Sequence, residues 1–296
     1  MKPVTILGAG SWGTALAVHV ARSGREVRLW ARDATHVDAI SRDRVNPRYL
    51  SDVSIPESVR PIARIDEALD GVDFVVMAVP THGVRAVVRS AAPLLTERAI
   101  LVSAAKGLET QSLMRMSQVL AAETAGRHAV VVLSGPSFAA EVARELPTAV
   151  LAASADPAAT ETVQEQFRGR GFRIYASDDV AGVEIGGALK NVIAIAAGCV
   201  EGLGLGHNAM AALITRGLAE ISRLACAEGG RRDTLAGLSG LGDLVLTCTG
   251  DLSRNRRVGI ELPIAAQMAA VLEGRSSPMV AVQSLMGRRQ RSEADG

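Results

Sequence analysis

Aromatic side chains are scarce in this chain: four Phe, two Trp and two Tyr make up 3% of 296 residues. A core must therefore be filled by Ala, Val, Leu and Ile, and a hydrophobic content of 48% supplies them. Neither sign of charge is in excess. The 32 Lys and Arg nearly cancel 31 Asp and Glu, leaving a net charge of +1, whereas a duplex-binding protein carries a marked basic surplus. The one basic run, Arg288-Arg289-Gln290-Arg291, lies in a polar tail and reads as a solvated end. No nucleic-acid partner is expected. The three cysteines, Cys199, Cys226 and Cys248, are far apart and odd in number. They show neither zinc nor redox-pair spacing, which points to a reducing compartment. No uninterrupted apolar run reaches about 18 residues. The longest candidate, Val192–Val200, is bracketed by Lys190 and Glu201, and Met1-Lys2-Pro3 leads straight into a strand-like stretch without a leader. The expectation is a cytoplasmic protein with no membrane partner. His19, His36, His82, His128 and His207 have no metal-ligand spacing, so no metal is expected, and no Gly-X-Ser-X-Gly elbow supports acyl-enzyme chemistry.

At about 100–200 residues per domain the length implies two domains. Val4–Leu7, Glu26–Trp30, Phe74–Val79, Ile100–Ser103 and Ala129–Leu133 are short β-branched runs that read as strands. Thr14–Ser23, Val84–Ala92 and Ser112–Thr124 lie between them with helical apolar spacing. Such alternation predicts right-handed crossovers and a parallel, doubly wound α/β sheet of Rossmann-like type. Thr148–Ala153 and Phe172–Tyr175 add two strands, joined by a helix over Pro157–Phe167. After the helix-capping Ser177-Asp178-Asp179 the strands stop. Val180–Gly198 and Ala209–Glu228 read as long helices, Glu261–Glu273 as another, and Ser277-Pro278 caps a last short one. The predicted division is a Rossmann-like domain over residues 1–178 and an all-α domain over 179–296.

Gly8-Ala9-Gly10-Ser11-Trp12-Gly13 follows the first strand and opens a helix, the context that a dinucleotide fingerprint requires. Gly8 permits the tight turn, Gly10 lets a pyrophosphate approach the backbone, and Gly13 allows close helix–strand packing. The N–H groups of the helix N-terminus then face that anion. Where an NAD-specific protein places a carboxylate after the second strand, this chain has Arg32, a cation able to pair with a 2′-phosphate and stack on adenine. Asp33, next to it, retains the option of serving a ribose hydroxyl. The cofactor is NADP or NAD, with NADPH favoured.

Lys190 sits mid-helix among Leu189, Val192, Ile193 and Ile195. Desolvation there lowers a lysine pKa toward the working range of a general acid, and a snorkelling lysine with its head in water is the competing reading. Asp243 is an isolated carboxylate in an apolar, glycine-rich stretch, where an unpaired charge is costly. Ser253-Arg254-Asn255 offers a hydroxyl, a bidentate cation and an amide within three residues, the makings of a phosphate clamp or of an ordinary polar loop. Arg256 and Arg257 read as surface charges.

Together with Gly8–Ala17, the segments Ala105-Lys106-Gly107, Ser134-Gly135-Pro136-Ser137-Phe138-Ala139, Gly187-Ala188-Leu189-Lys190-Asn191-Val192, Gly240-Leu241-Gly242-Asp243-Leu244 and Ser253-Arg254-Asn255 resemble the NAD(P)-dependent glycerol-3-phosphate dehydrogenases of bacterial type. That family interconverts dihydroxyacetone phosphate and sn-glycerol 3-phosphate and supplies the backbone of glycerophospholipids. The resemblance implies that Lys190 exchanges the proton with the substrate oxygen. It implies substrate contacts from Lys106, Gly135, Ser137, Lys190, Asp243, Ser253, Arg254 and Asn255. Asp243 is expected to bind a substrate hydroxyl or to orient Lys190. Cofactor contacts are implied for Gly8, Gly10, Ser11, Trp12, Gly13, Arg32, Lys106, Ala139 and Arg254. The family's second domain often mediates dimerisation, so a homodimer is expected.

One departure stands out. Family members continue past Gly259 through a few dozen helical residues carrying a Val…Glu-Gly segment at the nicotinamide, and here Gly259 runs into Ile260-Glu261-Leu262-Pro263-Ile264. That leaves a cofactor-binding but catalytically impaired homologue as an alternative, beside a related two-domain hydroxy-acid dehydrogenase.

Overall fold

Short β-branched runs become strands because each side chain alternates between two apolar faces, and the helices between them cover both. The computed structural model describes residues 2–260 together with 270, 274–277 and 279–280. In order, β1 (Val4–Leu7), α1 (Ser11–Arg22), β2 (Val27–Trp30), α2 (Ala34–Asp43), β3 (Val59–Ile62), α3 (Ile65–Leu69), β4 (Phe74–Met77), α4 (Thr81–Ala91) and β5 (Ile100–Ser103) open the chain. They are followed by α5 (Met116–Glu123), β6 (Val130–Ser134), α6 (Ala139–Ala143), β7 (Thr148–Ala153), α7 (Pro157–Gln166) and β8 (Phe172–Ser177). The eight strands form one sheet in the order β3-β2-β1-β4-β5-β6-β7-β8.

The alternation is explicit in the packing. Val4, Ile6, Phe74, Val76 and Val102 face one buried cluster with Leu16, Val20 and Phe167. Leu7, Val75, Met77 and Leu101 face the other, with Val84, Val88, Met116 and Leu120. Burying a Leu, Val or Phe side chain contributes about 1.5–3 kcal/mol, so two faces rather than one hold the sheet. The pairing departs from the expected parallel sheet at a single place: β6 and β7 run antiparallel, Leu133 opposite Ala152, before β8 resumes parallel to β7. The short α6 reverses the chain there instead of carrying it across the sheet. A strand that the alternating pattern did not predict, β3, pairs with β2 at the sheet's edge. Its Pro61 cannot donate to a ladder, which an edge strand tolerates.

Beyond Ser177 the described residues form helices: α8 (Val180–Gly202), α9 (Gly206–Ala227), α10 (Arg232–Ala236), a π-helical turn (Leu238–Gly242), α11 (Asp243–Thr249) and α12 (Arg254–Ile260). Asp179 starts α8, its Oδ1 accepting from Gly182 N at 2.8 Å and its Oδ2 from Arg231 N at 2.8 Å. By length and composition α8 could cross a membrane, but it carries the buried, ion-paired Glu184 and Lys190 and is a core helix. The chain divides into two compact units. One comprises residues 1–190 and 218–244, the sheet with the first half of α8, the second half of α9 and the turns up to Leu244; the other comprises 191–217 and 245–296. In the second unit helices cross on glycine: a Cβ on Gly198 would meet Arg256 O at 2.0 Å, and one on Gly259 would meet Ile195 O at 2.0 Å. The expected helix over Glu261–Glu273 falls on residues 261–269 and 271–273, outside the described residues, as does most of the chain that follows it.

Candidate active site

The glycine turn is built for a backbone approach. Gly8 has φ +122°, and a Cβ there would lie 2.7 Å from the carbonyl of Ala78; a Cβ on Gly13 would lie 1.8 Å from Gly8 O. Both positions are closed to every other residue. Gly10 differs: nothing stands within 4 Å of where its Cβ would be. It is the N-cap of α1, makes no side-chain cap, and the first turn of that helix carries no acidic residue. Open space above bare N–H groups is what a pyrophosphate needs. The Trp12 indole N–H is buried without a hydrogen-bond partner among the described residues, and such a donor calls for a polar partner. The residues present therefore fit a dinucleotide.

Ser11 Oγ donates to Tyr49 O at 2.9 Å. The buried Asn46 pins the same turn, its Nδ2 donating to Ala9 O at 2.9 Å and to Thr14 Oγ1 at 2.7 Å. Neither Asn46 nor Tyr49 shows in the periodicity of its segment. At the end of β2, Arg32 is exposed. Asp33 is the N-cap of α2, accepting from His36 N at 3.3 Å, with Arg48 Nη1 4.0 Å from its Oδ2. Its carboxylate is thus already engaged, and Arg32 is the more open of the two. Ala139 begins α6 and packs against the larger of the two cores.

At the carboxyl edge of the sheet, where ligands bind in doubly wound folds, three charged side chains converge. Lys106, just after β5, donates from Nζ to Gly135 O at 2.7 Å and to Asp243 Oδ2 at 2.7 Å, with Ser137 Oγ at 3.5 Å. Lys190 Nζ, from α8, donates to Asp243 Oδ1 at 2.5 Å. Each carboxylate oxygen holds one ammonium. Gly135, at φ +139°, turns the chain after β6 so that its carbonyl faces Lys106, and Ser137 Oγ donates to the same carbonyl at 2.9 Å. Asp243 is 1% exposed and Lys190 8%. Burial, reinforced by the neighbouring Lys106 charge and opposed by Asp243, lowers the Lys190 pKa to about 7. The snorkelling reading fails on this burial. The apolar neighbours named in the sequence do not supply it alone, since Val192 is 62% exposed.

In the other unit, Ser253 is buried and caps α12, accepting from Arg256 N at 3.2 Å. Asn255 Nδ2 donates to Asn191 Oδ1 at 2.8 Å. Arg254 is exposed and pairs with no carboxylate among the described residues. Its neighbour Arg256 is not the surface charge the sequence implied. Its guanidinium is largely buried and forks onto Glu201 at 2.6 and 2.7 Å, with Asp251 at 3.2 Å, so it is structural and Arg254 is the cation left open.

The family model for the NAD-dependent glycerol-3-phosphate dehydrogenase N-terminus matches residues 3–160, and that for the C-terminus of the same enzymes matches residues 179–286. Glycerol-3-phosphate dehydrogenase [NAD(P)+] of Thioalkalivibrio sulfidiphilus is 52% identical over 270 residues, covering 91% of this chain and 81% of the relative. The protein of that name from Geobacter sulfurreducens is 52% identical over 271 residues with the same coverage. Among solved structures, glycerol-3-phosphate dehydrogenase from Coxiella burnetii superposes with a TM-score of 0.84 at 40% identity, over 97% of this chain and 99% of that one. With a fingerprint turn, a two-lysine carboxylate site and these relatives in agreement, the chain belongs to the NAD-dependent glycerol-3-phosphate dehydrogenase family.

Proposed function

We propose that this chain reduces dihydroxyacetone phosphate reversibly to sn-glycerol 3-phosphate, supplying glycerophospholipid synthesis. The observation that carries the reading is the buried Lys190 ammonium, 2.5 Å from Asp243 Oδ1 and poised by burial near neutral pH. Reduction of a ketone takes a hydride at carbon and a proton at oxygen, and a bound nicotinamide supplies the hydride. Lys190 gives its proton to the carbonyl oxygen as the hydroxyl forms and recovers it from solvent. Asp243 holds Lys190 in place, while Lys106 adds a second positive charge beside the developing oxyanion. Gly135 and Ser137 lie beside the substrate, and Ser253, Arg254 and Asn255 hold its phosphate. Gly8, Gly10, Ser11, Trp12 and Gly13 hold the pyrophosphate end of the cofactor, Arg32 its 2′-phosphate, and Lys106, Ala139 and Arg254 line the remainder. NADPH is favoured over NADH.

The domain assignment, 1–178 for cofactor and 179–296 for substrate, belongs to the same proposal. So do a homodimeric state and a cytoplasmic location, the latter resting on three cysteines that are odd in number and far apart in the sequence. The test is NADPH oxidation with dihydroxyacetone phosphate set against simple keto acids. Turnover confined to the phosphorylated ketone is expected. Preference for a keto acid would overturn the reading, and NADPH binding without turnover of any substrate would revive the impaired homologue.

A further inference from the structure

Glu184 is a buried carboxylate that the reaction does not use. It lies on α8, six residues before Lys190, and is 7% exposed. Its Oε2 accepts from Arg115 Nη1 at 2.8 Å and Ser117 Oγ at 2.5 Å, and its Oε1 accepts from Ser117 N at 2.8 Å. Those donors sit at the N-terminus of α5, where the segment that carries Lys106 ends. The segment is closed on itself: Leu108 bridges to Arg115, and Glu109 N donates to Met114 O at 2.9 Å. On its outer side Arg85 of α4 forks onto Glu109 at 2.7 Å twice and reaches Glu123 at 2.5 Å. Between Glu184 and Lys190, α8 presses against the sheet on glycine. A Cβ on Gly187 would meet Ser134 Oγ at 2.7 Å and the Lys106 stem at 3.7 Å, and one on Gly186 would meet Ser239 O at 2.7 Å.

Six residues along a helix are about 9 Å and one and two-thirds turns, so Glu184 grips one side of α8 while Lys190 projects from another. Any rotation or slide of α8 moves Lys190 relative to Lys106. A buried ion pair returns little net stability, because desolvation offsets the attraction; its best-attested use is to fix register. We propose that Glu184 is a positioning residue that sets the spacing of Lys106 and Lys190 by tying the Lys106 segment to the helix that carries Lys190. The inference rests on the reading of Lys190 as the proton donor.

The charged groups facing Lys190 are Lys106, which lowers its pKa, and Asp243, which raises it. If the tether slackens and the two ammoniums separate, the pH at which Lys190 loses its proton rises. Glu184→Gln keeps the shape and an acceptor for Ser117 N but loses the charge toward Arg115. Ser117→Ala removes one hydroxyl from the same node and is the milder variant. The measurement is kcat/KM for dihydroxyacetone phosphate reduction against pH, with 2′,5′-ADP binding as a check on the cofactor turn. Glu184→Gln should lower kcat about 10- to 100-fold, the scale of a misplacement near 1 Å. It should move the alkaline limb up by about half a pH unit or more and leave 2′,5′-ADP binding unchanged. Ser117→Ala should move the limb the same way by less. Wild-type turnover with the limb unmoved in both variants would overturn the positioning role, even if both melted earlier. If Glu184→Gln fails to fold, Ser117→Ala alone decides, and an unmoved limb there overturns it. A wild type that turns over no dihydroxyacetone phosphate fails the functional reading instead.

Discussion

At the scale of single residues, the proposed chemistry rests on one proton. Because the Lys190 pKa is lowered to about 7, the protonated acid that reduction requires is depleted as pH rises through that value. The deprotonated base that oxidation requires accumulates over the same range. The kcat/KM for reduction should therefore fall above about pH 7, and that for glycerol 3-phosphate oxidation should rise to a plateau. Lys190→Ala should remove both limbs and lower turnover by about 10²–10⁴, the range for a lost general acid, with cofactor binding nearly intact. Identical profiles in the two directions would displace Lys190 from this role. Arg32, exposed beyond β2, is the residue proposed to set the cofactor preference. Initial rates should show Arg32→Ala losing NADPH selectively and NADH little, and an unchanged preference would remove Arg32 from recognition. Arg254→Ala should weaken dihydroxyacetone phosphate binding by about 1.5–3 kcal/mol, the scale of a charge-assisted contact. Unphosphorylated dihydroxyacetone should be a poor substrate for the wild type and barely affected by the change. Equal losses on both substrates would place the phosphate elsewhere.

Whole elements answer to backbone sterics more than to side-chain chemistry, and glycines in helices make a paired test. Gly83 in α4 has nothing within 4 Å of its absent Cβ, so Gly83→Ala should stabilise the protein by about 0.5–1 kcal/mol through helix propensity. Gly198→Ala gains the same propensity, but its Cβ would fall 2.0 Å from Arg256 O. Backbone cannot step aside as a side chain can, and overpacking of this kind costs about 1–3 kcal/mol. The net effect should be a lower denaturant midpoint. Stabilisation by both substitutions would mean that the crossing of α8 and α12 is looser than its geometry.

The same elements show how far the sequence could be read. β1, β5 and β7 fall on the predicted residues because each is an apolar run of four to six residues, too short for a helix, with β-branched residues in all three. β3 escaped because Pro61 interrupts a four-residue run, and α5 starts at Met116 rather than Ser112 because Arg115 is taken by its bridge to Leu108. Local motifs named Lys106, Lys190 and Asp243 individually. That two lysines share one carboxylate across 53 and 137 residues of chain is a long-range fact that no spacing carries. Asn46 and Glu184 were invisible for the same reason.

Taken as a molecule, the two compact units differ in what holds them. The sheet unit has two extensive buried clusters, whereas the buried apolar side chains among the described residues of 191–217 and 245–296 are Ala194, Ala197 and Cys248. At about 25 cal/mol per Å² of apolar surface, side chains this small contribute little. Amides of α12 and of 191–202 in α8 should therefore exchange with solvent through lower-energy openings than those of β1, β4 and β5. Hydrogen exchange read by mass spectrometry checks this, and equal protection in both units would refute it.

The shared carboxylate has a further consequence during synthesis. The last strand of the sheet ends at Ser177, yet the acid that both lysines need is Asp243. At about 5–20 residues per second on the ribosome, the intervening chain takes roughly 3–13 seconds to emerge. If the sheet forms as its strands emerge, Lys106 and then Lys190 stand at its edge over that interval before Asp243 can pair with them. The proposed reactive centre is then the last part of the sheet unit to be assembled, and a chain released before Asp243 keeps the glycine turn but lacks the carboxylate that both lysines share.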